Sequence, residues 1–245
     1  MSQRPDDPIV DQRLQDVEAQ LIYEREQQIA LRPYLVPKVR RGIVGTSRYA
    51  DRLRHEIKSA YEGDCAVLIF GEPGLEKDNI ASLIHFGSRR RKQPLIKINC
   101  NLLATSGVEL FGREGGKPGL LEWIGTGAIL LNNLEEFPKD LQPRLMELLK
   151  TGTYRPVGCD DEPGTIKTCA ARILMVSEKM LPGLSAKGLM GHTLKVPPLR
   201  VRKADIATQV DYYLKLLCRS RRATPPKIVA LKPCADFKAT IFQGI

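Results

Sequence analysis

The residues best suited to chemistry form a short glycine-containing segment that follows an apolar run. This segment reads Gly71-Glu-Pro-Gly-Leu-Glu-Lys-Asp78, and a helical pattern begins beyond it. A phosphate-binding loop has the pattern GxxxxGK[ST], in which backbone N–H groups cradle phosphates and the lysine reaches their outer oxygens. Gly71 and Lys77 stand at the required spacing, whereas Glu76 and Asp78 replace the second glycine and the hydroxyl residue. Two interpretations stay open, a phosphate loop or a strand-to-helix turn with an exposed lysine.

Strand and helix signals alternate along the chain and determine where that segment lies. Short apolar runs favour buried strands at Asp64–Phe70, Pro94–Asn99, Ala128–Leu131 and Ala171–Val176. Helical spacing indicates helices at Tyr49–Tyr61, from Gly74 to about Ile84, and at Asp140–Lys150 with Gly152 as its C-terminal cap. Asp205 can cap a last helix that runs through about Arg222. The alternation is typical of an α/β fold with a doubly wound, mostly parallel sheet and helices on both faces.

The N-terminal 8–31 segment has a helical pattern of its own. Val10, Leu14, Val17 and Leu21 follow a 4-3-4 spacing, which gives one narrow apolar stripe on an otherwise polar helix. Polar residues then interrupt the series, which argues against a long coiled coil. The segment is therefore either a docking or dimerising arm or a solvated linker helix.

The charge of the chain is strongly basic and unevenly distributed. Lys and Arg number 38 against 28 Asp and Glu, a net charge of +10. Residues 201–245 hold nine basic and three acidic residues and so supply +6 of it, and Arg89–Lys92 form a second basic run. A basic surface suits an acidic partner such as nucleic acid, and an ordinary solvated surface is the alternative.

Other classes of protein are disfavoured by the apolar runs and the cysteines. No apolar run approaches the ~20 residues of a membrane span, and the N-terminus lacks the apolar core of a signal peptide. A cytoplasmic protein without membrane contact is expected. The six cysteines form no CxxC pair or zinc-site spacing, so we predict no protein-bound metal and reduced thiols.

Several sequence blocks occur in an order that resembles one family. They are Gly42-Ile-Val-Gly45, Val67-Leu-Ile-Phe-Gly-Glu72, Pro94-Leu-Ile-Lys-Ile-Asn-Cys100, Glu109-Leu-Phe-Gly112, Pro138-Lys-Asp-Leu-Gln142, Tyr154-Arg-Pro-Val-Gly158, and Val196-Pro-Pro-Leu-Arg200 followed by Asp205-Ile206. Over residues 42–206 the chain resembles the AAA+ ATPase domain of sigma-54-dependent transcription activators, the bacterial enhancer-binding proteins. The resemblance implies a ring ATPase of six or seven subunits that binds Mg·ATP between subunits. Such a ring uses hydrolysis to remodel sigma-54 RNA polymerase at a promoter.

The resemblance also implies a domain organisation and a set of nucleotide-binding residues. We expect an N-terminal helical arm or linker at 1–41, an AAA+ α/β nucleotide-binding-type domain at 42–204, and a partial helical lid with a basic tail at 205–245. The residues expected to hold the nucleotide are Gly71, Glu72, Pro73, Gly74, Leu75, Glu76, Lys77 and Asp78, with Ile43 and Val44.

The chain departs from the family at the positions that handle phosphate and water. The family loop reads GExGxGKE, so Glu76 replaces a glycine and adds a negative charge, while Asp78 is a mild change. The Walker B strand should end in Asp-Glu, but Asn132 and Asn133 stand there, and neutral amides are weaker Mg²⁺ ligands that cannot take up a proton. Glu178 stands where the family has a sensor asparagine. No active catalytic residue is expected.

Three further parts of the family's machinery are altered. The sigma-54-contacting GAFTGA loop should follow Gly112, but Arg113–Leu120 continue directly, so the loop is deleted. Leu181–Leu189 lack both arginines of the finger segment, which in phosphoryl-transfer enzymes is worth 10³–10⁵ in rate. The helical pattern weakens after Ala223, either as a genuine short lid or as a truncated or frameshifted one.

These changes together predict a degenerate AAA+ module in transcription regulation. It would bind ATP weakly or not at all and act by interaction as a pseudo-ATPase, with AAA+ subunits in a ring or hetero-oligomer or with the transcription machinery. Because Gly71, Gly74 and Lys77 survive, an active ATPase with substituted ligands that remodels another target is one alternative. A basic nucleic-acid-binding scaffold that uses residues 201–245 and Arg89–Lys92 is another, and its affinity would fall with salt.

Overall fold

The computed structural model describes residues 8–38, 42–159, 166–180 and 191–220. The chain divides into two compact units, the first made of Met1–Ile43 and Arg52–Pro198 and the second of Val44–Asp51 and Leu199–Ile245. The helices are α1 (Pro8–Leu31), α2 (Arg48–Glu62), α3 (Lys77–Gly87), α4 (Val108–Phe111), α5 (Leu120–Trp123), α6 (Gln142–Thr151) and α7 (Ala204–Ser220). The strands are β1 (Val67–Phe70), β2 (Leu95–Asn99), β3 (Ala128–Asn132), β4 (Thr153–Tyr154), β5 (Lys167–Thr168), β6 (Arg172–Ser177) and β7 (His192–Lys195).

Five of these strands form the central sheet of the first unit. Their order is β2-β3-β6-β1-β7, and every pairing is parallel. Parallel neighbours need a long crossover connection, and the helices between the strands provide it. β4 and β5 form a separate antiparallel pair. The α/β fold with a parallel sheet that the sequence predicts is confirmed.

The sheet is covered on both faces because successive side chains along each strand point to opposite sides. One face packs against α4, α5, α6 and the end of α1, and its strand residues include Leu68, Ile96, Ile129, Leu131 and Met175. The other face packs against α2 and α3, and its strand residues include Val67, Ile69, Leu130, Leu174 and Val176. Strands buried on both faces read as continuous apolar runs, which is why the sequence revealed them.

One strand of the central sheet was not predicted from the sequence. β7 has only four residues, of which Leu194 alone is buried. Its pairing with β1 places Phe70 beside Lys195 and closes this edge of the sheet. The sequence signal for β7 is weak because only one of its four side chains is buried.

Gly152 caps α6 as predicted, with φ +71° and its N–H donating to the Leu148 carbonyl.

The C-terminal part of α1 is fixed to the first unit. The Tyr23 ring packs on Trp123 at 5.2 Å between centroids, the Gln27 side chain donates to the Trp123 carbonyl, and Leu31 is buried. Beyond the helix, Tyr34 Oη donates to Glu109 Oε1 at 2.5 Å. This hydrogen bond, together with burial, raises the pKa of Tyr34 to about 12. The predicted domain boundary at residue 41 stays a prediction.

In the second unit, Asp205 has a different role from the one the sequence predicts. α7 begins at Ala204, so Asp205 lies in its first turn rather than capping it. A 3₁₀ turn, Leu199–Val201, precedes the helix, and the Arg202 and Lys203 carbonyls accept the N–H groups of Asp205 and Ile206 in its first turn. The Asp205 carboxylate is free to accept instead from the N–H groups of Thr46 and Ser47, both at 2.8 Å, and from Ser47 Oγ at 2.6 Å.

The fully buried Asp205 carboxylate organises the segment that precedes α2. Burial opposes its ionisation, but the hydrogen bonds from Ser47 and Thr46 outweigh burial and lower the pKa of Asp205. Gly45 has φ +146°, and a Cβ there would lie 2.5 Å from Asp205 Cγ. The close approach of this backbone to the carboxylate therefore requires glycine.

We predict that Asp205→Asn lowers the free energy of unfolding by about 2 kcal/mol at pH 7, because hydrogen bonds to a charged group contribute about 1.5–3 kcal/mol. The lowered pKa makes this contribution complete above the usual value of 3.8 and lost as the pH falls below it. Urea denaturation from pH 7 to pH 3 measures the difference. Asp211→Asn, which removes only an exposed pair with Lys215 on the same helix, is the control. Equal losses in both variants, or a gap that stays constant as the pH falls below 3.8, would contradict the assignment.

Candidate functional site

The candidate site lies along one edge of the sheet, where the parallel strands end. The register pairs Asn99 with Asn132 at the ends of β2 and β3, and Phe70 with Ser177 at the ends of β1 and β6. The segments that follow these strands therefore leave from the same edge. In open α/β sheets, ligands bind outside the carboxyl ends of the strands.

The loop after β1 is anchored to β6 and tightly constrained at its first residue. The Gly71 N–H donates to the Ser177 carbonyl at 3.3 Å. A Cβ at Gly71 would lie 2.8 Å from the Val196 carbonyl oxygen, so only glycine fits beside the strand end. Gly74 has φ +76°, a conformation that glycine adopts without steric cost.

Glu76 stands where the backbone favours glycine. Its φ of +51° and ψ of +41° are left-handed, which costs a residue with a side chain about 1–2 kcal/mol. Its carbonyl begins α3 by accepting the N–H groups of Asn79 and Ile80. The loop thus keeps the backbone path of a glycine position while carrying an exposed carboxylate.

Lys77 is not the exposed lysine of an ordinary strand-to-helix turn. Its side chain is buried, and Nζ donates to the carbonyl oxygens of Gly71 and Glu72, both at 2.8 Å. The ammonium closes the loop on itself, and two of its three donors are used in doing so. A phosphate bound here would compete with these carbonyls for the ammonium.

Asp78 is engaged away from the loop. It lies in the first turn of α3, and its carboxylate pairs with the ammonium of Lys97 on β2. Both side chains are partly exposed, so the pair adds little stability. This ion pair links the start of α3 to β2.

The two amides after β3 form part of a polar contact across the edge. Asn133 has φ +54°, a left-handed conformation that asparagine tolerates better than most residues. Its Nδ2 donates to Asn99 Oδ1 at 3.0 Å, which links the ends of β3 and β2. Asn132 is half-buried at the end of its strand. Neither asparagine presents a negative charge, so the end of β3 itself offers no acid for a metal ion or a proton.

A carboxylate that sequence reasoning missed lies beside these amides. Glu135 is on the 3₁₀ turn Leu134–Glu136, and its Oε2 accepts from Ser177 Oγ at 2.8 Å and from the Glu178 N–H at 3.2 Å. Burial and the nearby charge of Glu135 raise the pKa of the Cys100 thiol to about 12. The sequence signal that could have located Glu135 is the acidic pair Glu135–Glu136, which lies three and four residues after Asn132, the last residue of β3.

The predicted site residues do not all belong to one described unit. Residues Gly71 to Asp78, Asn132, Asn133 and Glu178 lie along the edge of the first unit, where the Glu178 side chain is exposed. Ile43, also in the first unit, packs against the α2–α3 face, and its carbonyl accepts from Arg54 at 3.0 Å. Val44 belongs to the second unit, where its carbonyl accepts from Gln209 at 3.2 Å.

The segment between α4 and α5 is short and closed. Gly112 and Gly119 lie so close that a Cβ on Gly119 would be 2.3 Å from the Gly112 nitrogen. The Gly112 carbonyl accepts from the Val157 N–H at 2.9 Å, and Arg113 forms a parallel bridge with Val157. The segment Gly112–Gly119 is therefore a tight turn fixed to a neighbouring chain segment. It lines a cavity of about 320 Å³.

Within the basic run Arg89–Lys92, Arg90 has a structural role. Arg90 forms an ion pair with Asp64 and donates to the carbonyls of Thr126 and Ala170, so it joins three segments at the opposite end of the strands. Its neighbours in the run are exposed. The finger segment Leu181–Leu189 and the basic tail after Ser220 lie outside the described residues.

Two further expectations concern metals and membranes. Among the described residues, no group of three or more His, Cys, Asp or Glu side chains could hold a metal ion. None of the helices that the structure describes combines the length and apolar character of a membrane-spanning segment.

Comparison with known proteins identifies the family. Residues 43–194 match the family model of the sigma-54 interaction domain. The signal-transduction and transcriptional-control protein of Clostridium beijerinckii is 32% identical over 192 residues, which are 71% of this chain and 30% of that protein. The anaerobic nitric oxide reductase transcription regulator NorR of Aeromonas hydrophila subsp. hydrophila is 33% identical over 217 residues, 79% of this chain and 42% of that protein.

The fold has a solved counterpart. The crystal structure of NtrX from Brucella abortus in complex with ATP superposes with a TM-score of 0.67 at 26% identity, and the match covers 86% of this chain and 49% of that one. The chain spans less than half the length of these relatives. The resemblance inferred from the sequence blocks is confirmed, and the chain belongs to the sigma-54 interaction domain family, the AAA+ domain of bacterial enhancer-binding proteins.

Proposed function

We propose that this chain is a regulatory AAA+ module of the sigma-54-activator type that has lost ATP hydrolysis, or nearly so, and acts by interaction. The observation that carries the proposal is the end of β3, where Asn132 and Asn133 replace the expected acids and the Asn133 amide is bonded to Asn99. Mg²⁺ prefers carboxylate oxygens, and an amide cannot accept the proton of an attacking water. General-base assistance alone is worth typically 10²–10⁴-fold in rate.

The proposed ligand is ATP with Mg²⁺, held weakly. NtrX, a solved relative, was crystallised in complex with ATP. In this chain the residues that would hold it are Gly71 to Asp78 with Ile43 and Val44. Two features weaken the site. The Lys77 ammonium is already bound to loop carbonyls, and Glu76 brings a negative charge to the loop. The negatively charged triphosphate would be attracted to the Lys77 ammonium. To bind it, the phosphate oxygens must displace the Gly71 and Glu72 carbonyls that now accept from the ammonium.

The partners proposed for the module are other AAA+ subunits, in a ring or hetero-oligomer, and the transcription machinery. The tight turn Gly112–Gly119 supports the deletion of the sigma-54-contacting loop, because α4 and α5 are joined here by a short connection whose two ends lie side by side. The module would then act through its remaining AAA+ surface rather than through that loop. Weak contact of the basic tail with nucleic acid, a cytoplasmic location, and the domains 1–41, 42–204 and 205–245 belong to the same proposal.

A second candidate function is an active ATPase with substituted ligands, and Glu135 is the observation that favours it. Its carboxylate lies between the ends of β3 and β6, bonded to Ser177 Oγ and the Glu178 N–H through one oxygen. A carboxylate in this position could polarise water in place of the missing acid. Its present hydrogen bonds hold it toward β6, so it would have to turn to reach a substrate on the loop.

We predict that Glu76→Gly strengthens Mg·ATP binding at least tenfold over the wild type, measured by calorimetric titration. Two like charges ~4 Å apart at an effective dielectric of about 20 repel by about 4 kcal/mol, and half of that exceeds a tenfold change in affinity. Glycine also removes the strain of a left-handed Glu76. Lys77→Ala should abolish the binding that remains. Glu72→Gly, which removes another exposed loop carboxylate, is the control, and an equal gain there would contradict a specific role for Glu76.

For hydrolysis, we expect phosphate release by the wild-type chain with saturating Mg·ATP to match the Lys77→Ala background. The reason is the absence of an acid at Asn132 and Asn133. A coupled phosphate assay on both proteins, at equal concentration and over a dilution series that allows assembly, makes the comparison. ATP hydrolysis by the wild-type chain well above the Lys77→Ala background would contradict the proposed loss of hydrolysis.

If turnover is found, Glu135 provides the discriminating test. Glu135→Gln should then lower the rate by 10²–10⁴, because it removes the only acid bonded to the end of β6 in the described part of the site. Glu136→Gln, an exposed neighbour on the same 3₁₀ turn, should leave the rate within twofold. Equal rates in both variants would remove Glu135 from the mechanism.

A further inference from the structure

A cavity of about 580 Å³ lies between α2 and α3 in the first unit. Pockets for small ligands have volumes of roughly 300–1,000 Å³ and are lined mainly by apolar and aromatic side chains with a few polar groups. The apolar part of this lining consists of Ile43, Ile57, Tyr61, Leu83 and Phe86. The cavity therefore has the size and the composition of a small-molecule site.

Two aromatic rings form part of its walls. Tyr61, near the end of α2, is half-buried, and its ring contacts the backbone of Gly87, where a Cβ would lie 3.0 Å from Tyr61 Cδ1. Phe86, in the last turn of α3, is also half-buried, and its ring meets the buried His85 ring edge-on at 4.9 Å between centroids. Both rings are positioned by contacts within the protein and still contribute to the cavity lining. Because aromatic rings pack well on one another, a flat aromatic ligand suits these walls.

Two arginines supply charged groups to the same lining. Arg54 Nη2 donates to the Ile43 carbonyl at 3.0 Å, which holds the guanidinium beside the cavity. Arg91 follows α3 in a turn in which its N–H donates to the Ser88 carbonyl at 3.2 Å. None of the described residues that line this cavity is acidic. A guanidinium is always charged and binds carboxylates and phosphates through paired hydrogen bonds, so the lining favours an anion.

The smaller cavity beside the Gly112–Gly119 turn differs in this respect. Its lining includes the basic residues Arg113 and Lys167 together with the acidic residues Glu114 and Glu122. Lys167 is paired with Glu122 at 2.6 Å, so charges there offset one another within the protein. The cavity between α2 and α3 carries lining charge of one sign, which attracts a ligand of the opposite sign.

We infer that the cavity between α2 and α3 binds a small aromatic anion, with its flat ring against Tyr61 and Phe86 and its anionic group on Arg54 and Arg91. The anionic group is a carboxylate or a phosphate, since a guanidinium matches both. Phe86 lies nine positions after Lys77 on α3, about 14 Å along the helix axis. The site is thus separate from the loop after β1, and it does not depend on the proposed loss of hydrolysis.

Calorimetric titration of the full chain with naphthalene-2-carboxylate tests the site. The uncharged naphthalene-2-carboxamide should bind at least tenfold more weakly, because charge-assisted hydrogen bonds are stronger than neutral ones. A parallel titration with 2-naphthyl phosphate distinguishes the two kinds of anion, since the tighter binder identifies the group that the arginines prefer. No binding of either anion up to about 1 mM, or equal binding of the carboxamide, would overturn the inference.

A pair of arginine variants locates the bound anion. Arg91→Gln should weaken binding of the preferred anion at least tenfold, because it removes a charged donor from the lining. Arg89→Gln is the matched control, since Arg89 is exposed in the same basic run but does not line the cavity, and its affinity should stay within twofold of the wild type. Both arginines are exposed and lie beyond the end of α3, so the fold tolerates either change. Equal losses would show a general attraction by basic charge and would refute the site.

Glu76→Gly separates this cavity from the loop after β1, a distinction that is needed because Ile43 is also predicted to hold nucleotide. The variant removes a negative charge from that loop and leaves the lining of the cavity unchanged. The affinity for the aromatic anion should therefore equal that of the wild type. A tenfold gain would place the anion at the loop and contradict the inference.

Discussion

The in-register parallel pairing of β2, β3, β6 and β1 is the constraint on which the candidate site depends. It brings the ends of four strands to one edge, so residues far apart in sequence become neighbours there. Asn99 and Asn133 are 34 positions apart and share a hydrogen bond, and Glu135 reaches Ser177 across 42 positions. The apolar interior of the same strands supplies the stability, which means that the edge can change its chemistry while the fold persists.

The loop after β1 illustrates that separation between fold and chemistry. Gly71 is required sterically by the Val196 carbonyl, and its N–H is bonded to β6, so the first residue of the loop belongs to the scaffold. Glu76 sits in a left-handed conformation whose cost of about 1–2 kcal/mol the surrounding structure sustains. Lys77 contributes to the folded state through two carbonyls of its own loop. The lysine of a phosphate-loop pattern thus has a structural function in this fold that does not depend on turnover.

Sequence reasoning predicted the features that depend on local patterns and missed those that depend on tertiary contacts. The buried strands were found because apolar runs such as Val67–Phe70 are visible without a partner. β7 was missed because its position is set by pairing with β1, while only Leu194 is buried. The spacing predicts Asp205 as a helix cap, but its carboxylate accepts hydrogen bonds from Ser47 and Thr46, which lie 158 and 159 residues earlier in the chain.

Glu135 shows the limit of motif reasoning most clearly. The Walker B motif predicts acids at positions 132 and 133, where this chain has asparagines. The acid that reaches β6 is Glu135, on the 3₁₀ turn that follows. Its direction depends on how that turn folds over the strand end, and no spacing rule predicts this.

The amides after β3 also reduce the concentration of like charge at the edge. Five acidic residues follow β1, β3 or β6, namely Glu72, Glu76, Asp78, Glu135 and Glu178. Lys97 pairs with the Asp78 carboxylate, and Lys77 donates to the Glu72 backbone carbonyl. Two more carboxylates at Asn132 and Asn133 would add repulsion that a bound Mg²⁺ normally offsets, since a divalent ion is the largest local charge in such a site. The neutral amide of Asn133 instead donates a hydrogen bond to Asn99 and adds no charge to this edge. The two amides on which the proposed loss of hydrolysis rests therefore also keep added repulsion away from this edge, which suits the proposed module that acts by its surface.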